Sequence, residues 1–182
     1  AADHHRQALI LYRQTGDRDG EAHTLNNLGL IEQQLGEHRP AAAHHQQALE
    51  QFRALGHRDG EASAVDNLGI VHTRLGRPEE AIGYFQQALA IVRAIGERGG
   101  EAWVLNGLGE ASHTAGRAAD AVAHHTAALS LATQLSAGDQ QARAHAGLGH
   151  AHHTLGEHGS ARAHYEQALA VYTRLGMPEA EV

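Results

Sequence analysis

A 40-residue register runs through the chain without a break. Leu28-Gly29 returns as Leu68-Gly69, Leu108-Gly109 and Leu148-Gly149, and Ala8-Leu9 returns as Ala48-Leu49, Ala88-Leu89, Ala128-Leu129 and Ala168-Leu169. Fixed periods of about 20 to 50 residues mark repeat architectures, in which each unit buries its apolar stripe only against its neighbours. Two glycine series punctuate every unit: Gly16, Gly56, Gly96 and Gly176, with Ser136 as the exception, and Gly36, Gly76, Gly116 and Gly156. Each unit therefore holds two segments, each closed by a stop.

Apolar spacing inside the segments is helical. Ala22, Leu25, Leu28 and Leu35 mark one, Ala41, Ala48, Leu49, Phe52 and Leu55 the next, and neither alternates as a strand does. Glycine after the last apolar residue suits a left-handed C-terminal cap, Pro40 and Pro78 suit helix starts, and Glu21, Glu61 and Glu101 fall in first turns. The pattern predicts first helices over 19–35, 59–75, 99–115 and 139–155, with partners over 39–55, 78–95, 118–135 and 158–175. Gly29, Gly69, Gly109 and Gly149 then lie inside helices, where each costs about 1 kcal/mol relative to Ala. Close helix contact offsets that cost, with Ala48, Ala88, Ala128 and Ala168 as the expected opposing residues.

Composition removes several function classes. All 14 cations are Arg and there is no Cys, so Schiff-base lysines, disulfides and thiolate metal sites are excluded. The net charge of -7, without basic runs, argues against a nucleic-acid surface, and no apolar run approaches the roughly 20 residues of a membrane span. There is no phosphate loop, no HExxH and no Ser beside a base and an orienting acid. The residues point to no catalytic site and no cofactor.

Asn26-Asn27-Leu28-Gly29, Leu35-Gly36-Glu37, Ala41 and Ala48-Leu49 resemble the tetratricopeptide repeat family over nearly the whole chain. The period is longer than that family's usual 34 residues, which resembles a 40-residue subtype. Gly16-Asp17-Arg18-Asp19-Gly20-Glu21-Ala22 and His44-His45-Gln46-Gln47-Ala48-Leu49 resemble the C-terminal repeats of actinobacterial transcriptional regulators and signalling NTPases. The resemblance implies an all-α, right-handed superhelical solenoid of antiparallel helix pairs, with first helices lining a concave groove for proteins or peptides. It implies one repeat domain over 1–182, with a lone second helix at 1–16, full repeats at 17–56, 57–96, 97–136 and 137–176, and the start of another at 177–182. The chain thus reads as part of a longer, cytoplasmic bacterial protein, and unpaired ends offer a route to self-association.

Where the family places aromatics this chain is lighter: the first helices carry Leu25, Val65, Leu105 and His145, the second His5, His45, Phe85, His125 and Tyr165. The His4-His5, His44-His45 and His124-His125 doublets read as a packed ring beside an exposed neighbour. The groove positions that the resemblance implies include Asn26, Asn27, Asp66, Asn67, Arg74, Trp103, Asn106, Glu110 and Arg143. Asn27 and Asn67, one repeat apart, could hold a peptide backbone, because an Asn amide both donates and accepts. Trp103, the only Trp, forms the strongest hot-spot candidate with Arg143 and Arg74.

Two further readings rest on histidine. Glu110, His113, His150 and His153 occupy matching places on successive first helices and form the candidate metal ligands, although helices ~8 to 10 Å apart leave them far from a common ion. Protonating all 17 His would carry the formal charge from -7 to +10, and packed neutral His45 and His125 would make the fold acid-sensitive. The open alternatives are partner recognition, self-association or autoinhibition, and a metal- or pH-responsive module.

Overall fold

The computed structural model describes residues 2–176. Among them are nine α-helices and no strand: α1 Ala2–Thr15, α2 Arg18–Gln34, α3 His38–Leu55, α4 Arg58–Arg74, α5 Pro78–Ile95, α6 Arg98–Thr114, α7 Ala118–Gln134, α8 Gly138–Thr154 and α9 His158–Leu175. Every predicted helix is present with ends within a residue or so. The expected opening of another repeat at 177–182 lies outside the described residues.

The helices fall into two compact units, Ala1–Ile95 and Gly96–Val182. In the first, α2 pairs with α3 and α4 with α5, α1 packs on α2, and α3 packs on α4 as well as on its own partner. In the second, α6 pairs with α7 and α8 with α9, while α7 also packs on α8. The first helices of successive hairpins touch, α2 with α4 and α6 with α8.

Short connections make each pair antiparallel. After α2 the amide of Gly36 donates to the Gln33 carbonyl at 3.0 Å and that of Glu37 to the Glu32 carbonyl at 2.8 Å, satisfying carbonyls the helix end would orphan. This reversal needs a left-handed residue, and Gly36 has φ 76°. At the one place where the series lacks glycine, Ser136 adopts φ 55° regardless. Caps the spacing did not announce close the helix starts: Asp17 accepts the Gly20 amide at 2.9 Å, His57 the Gly60 amide at 2.9 Å, and Glu97 those of Gly99 and Gly100.

Rings, not alanines, fill the glycine notches. A Cβ on Gly29 would sit 2.6 Å from His45 Cε1, one on Gly69 2.8 Å from Phe85 Cε1, and one on Gly149 2.5 Å from Tyr165 Cε1; Gly109 faces His125 in the same way. The expected contacts Ala48, Ala88, Ala128 and Ala168 are fully buried, but the larger side chain one turn earlier reaches the gap. A second notch joins hairpins: Tyr12 lies against Gly20 and Phe52 against Gly60. Where Ala132 replaces that ring, the glycine position holds the larger Gln140. Phe52 and Phe85, at 0% and 2% exposure, each contribute about 1.5–3 kcal/mol of burial. Because α3 uses His45 toward α2 and Phe52 toward α4, no hairpin of this unit owns its core.

Candidate partner-binding surface

In the first unit Asn26 and Asn67 turn inward. The neutral His45 ring is fully buried; its Nδ1 donates to Asn26 Oδ1 at 2.7 Å and its Nε2 accepts from Gln33 Nε2 at 2.9 Å. Asn26 Oδ1 also accepts from Asn67 Nδ2 at 3.3 Å, while Asn26 Nδ2 donates to Ser63 Oγ at 3.2 Å. The expected Asn27–Asn67 ladder is therefore not a pair of outward amides: Asn27 is exposed, but Asn67 is buried and serves the interior. An Asn amide inside a helix packing must find partners there, and the histidine ring supplies one. Leu30, Gln34 and Arg74 are exposed, and Asp66 is half-buried.

The second unit repeats the device. His125 Nδ1 donates to Asn106 Oδ1 at 3.0 Å, and Asn106 Nδ2 donates to the Gln140 carbonyl and to Gln140 Oε1, each at 3.2 Å. Asn106 has no exposed surface, so it is a packing residue and not a contact for a partner. The His125 ring sits in a double notch, facing Gly109 of its own hairpin and Gly147 of the next. Burial pushes the His45 ring down to about 4, with His44 adding to the effect. His125 is also held at about 4, by burial first; Glu110 opposes the shift, and Arg143, His124 and His113 reinforce it. That Gln33 and Gln140 complete these networks escaped sequence reasoning. The available signal was internal: His and Asn recur 19 residues apart in both units, whereas Tyr165 is matched by Ala146.

Trp103, Glu110 and Arg143 do come together. Trp103 on α6 is 42% exposed, and the Arg143 guanidinium, from α8, lies 4.7 Å from its ring centroid. Arg143 Nε and Nη2 donate to the Glu110 carboxylate at 2.7 and 3.0 Å. The fork holds the guanidinium over the indole, so an aromatic face and a planar cation share one fixed geometry.

The candidate metal ligands do not converge. Glu110 is taken by Arg143, His150 Nδ1 is 2.9 Å from the Tyr165 hydroxyl, the His113 and His150 rings are 6.3 Å apart, and His153 contacts His158. Among the described residues, the three ligand groups that meet are Asp19, His23 and His57, whose atoms lie within 4.8 Å of one another. Their junction involves a cap residue outside the helical period, which is why spacing alone missed it.

Antiparallel helix pairs with small-residue notches at a constant 40-residue register define an all-helical repeat protein. The family model for the tetratricopeptide repeat matches residues 1–54, 21–94, 60–134 and 100–174, and the chain belongs to that family. No curated protein matches the chain significantly. Among solved structures it is similar to BtubC (BKLC) from P. vanneervenii, with TM-score 0.82 and 21% identity over 98% of this chain and 74% of that one. It is also similar to a Rap protein complexed with competence and sporulation factor, with TM-score 0.84 and 16% identity over 94% of this chain and 48% of that one. A third, the TPR domain of Arabidopsis FLU, has TM-score 0.60 and 22% identity over 65% of this chain and 98% of that one. The chain thus spans about half of the Rap protein's length. At these identities the likeness is one of fold. Among the described residues no helix is long and apolar enough to cross a membrane.

Proposed function

We propose that the chain is a non-catalytic recognition module of a larger bacterial regulatory protein, and that it binds a protein or peptide segment across its first-helix faces. The observation carrying this reading is the Trp103–Arg143–Glu110 cluster: a large ring left 42% exposed with a guanidinium fixed 4.7 Å from its centroid. Binding energy concentrates in Trp, Tyr and Arg, and a side chain already ordered loses little entropy on association. Arg74 and Asn27, exposed on α4 and α2, are the corresponding candidates of the first unit. That a structural neighbour is complexed with competence and sporulation factor is compatible with such a role. The test is a peptide array probed with the native chain, Trp103→Ala and Arg143→Ala. Saturable capture should be lost in both variants while helical circular dichroism is unchanged; capture that ignores both substitutions refutes the reading.

A further inference from the structure

We propose that Asp19, His23 and His57 form a site for one divalent transition-metal cation of the Zn²⁺, Co²⁺ or Ni²⁺ class, tying α2 to the start of α4. One ligand atom from each residue lies within 4.8 Å of the other two. Asp19 and His23 stand one turn apart on α2, with Oδ2 and Nε2 3.7 Å from each other. His57, the residue capping α4, brings its ring to 5.2 Å from that of His23, edge to face. Against both rings lies the fully buried Phe52, with centroids 4.9 and 5.3 Å away, which supports their orientation from the protein side.

The donor set selects the ion. Two imidazoles and one carboxylate suit borderline cations and disfavour Mg²⁺ and Ca²⁺, which want oxygen alone. Bonds of ~2.0 to 2.2 Å require ligand atoms about 3 Å apart, so the cluster must contract. Asp19 and His23, with side chains 55% and 50% exposed, can rotate to do this.

Asp19 belongs to the acidic first turns of the repeat, but nothing in the repeat demands the two histidines. The positions equivalent to His23 hold Ser63, Trp103 and Arg143, and those equivalent to Asp19 hold Asp59, Gly99 and Asp139. The cap at the His57 position is made equally well by Asp17 and Glu97. Other residues fill both places in the remaining repeats, so the meeting of two histidines with Asp19 is specific to this junction.

In the free protein His57 Nδ1 accepts the Gly60 amide at 2.9 Å, so the ring proton is on Nε2. A cation at Nδ1 takes the lone pair that accepts the Gly60 amide, and a cation at Nε2 requires the ring proton to move to Nδ1 through solvent; in either case Nδ1 stops accepting that amide. Metal binding and the α4 cap are therefore alternatives.

The test is isothermal titration of the metal-stripped chain with ZnCl₂ in a non-chelating buffer, alongside His23→Ala, His57→Asn and His153→Ala. Asn at 57 can still accept the Gly60 amide, so this variant keeps the cap while removing the metal ligand. The native chain and His153→Ala should bind one tight equivalent of zinc and melt at a higher temperature with it. His23→Ala and His57→Asn should lose more than about tenfold in affinity and show no thermal shift. Zinc binding equal in all four proteins, or no saturable equivalent in the native chain, overturns the proposal.

Discussion

His45 donates from Nδ1 to Asn26 Oδ1 at 2.7 Å inside the first unit, across the hairpin that joins α2 to α3. The bond does more than satisfy two polar atoms. With Gln33 Nε2 donating to the other ring nitrogen at 2.9 Å, it selects one neutral tautomer and leaves no lone pair for a proton. A ring that fills the space Phe85 fills elsewhere thereby acquires direction, and the register of the two helices is held by hydrogen bonds as well as by shape.

Acid should destabilise the protein through this ring and its counterpart. His45 and His125 are held at about 4 when folded and return to about 6.5 when unfolded. The unfolded chain then binds the extra protons, so the stabilisation is complete above pH ~6.5 and is lost as pH falls toward ~4. At pH 5 the two together cost about 4 kcal/mol relative to pH 7.5. Urea unfolding at the two pH values measures the difference. Replacing both with Phe should flatten the pH response while lowering stability at pH 7.5, because Asn26 and Asn106 lose a partner, at about 1–3 kcal/mol each.

Glycine replacements should split by position, against helix propensity. A Cβ added at Gly83 would meet nothing within 4 Å, so Gly83→Ala should stabilise by about 1 kcal/mol. Gly29→Ala would press on the His45 ring and should destabilise by about 1–3 kcal/mol despite the better propensity. Equal signs in thermal unfolding would contradict the notch assignment.

Ser136 occupies a left-handed position that glycine holds in the rest of its series. A side chain there costs about 1 kcal/mol. Ser136→Gly should raise the melting temperature, by somewhat less than that cost implies because glycine also adds freedom to the unfolded chain. Ser136→Ala should bring no such gain.

Glu110 positions Arg143 over Trp103 and adds little to stability. The pair is partly exposed, so Glu110→Gln should cost less than about 1 kcal/mol in unfolding experiments. The indole reports the change independently: its fluorescence should shift in Glu110→Gln, as it should in native protein when salt screens the pair.

Helices, turns and their order were legible because each depends on residues within one turn: the apolar period, the stop glycines, the acidic first turns. Trp103 and Arg143 were legible together because a constant register converts a sequence offset into a place on adjacent helices, whereas the Glu110 carboxylate that holds Arg143 was grouped with His113, His150 and His153 instead. Asn67 and Asn106 were misread for the complementary reason. Register says which helix face a residue occupies, but whether a half-polar face opens to water depends on how deep the neighbouring ring reaches.

The amino-acid sequence by itself determined the repeat, the family, the all-helical class and the sites of reversal, since these follow from local backbone preferences summed over similar units. Only tertiary structure decided which side chain enters each glycine notch, which asparagines are spent inside, and that a cap histidine meets two residues of the preceding first helix. Those outcomes depend on distances of a few ångströms between side chains of different helices, where ring size and hydrogen-bond direction, invisible to periodicity, select the partner.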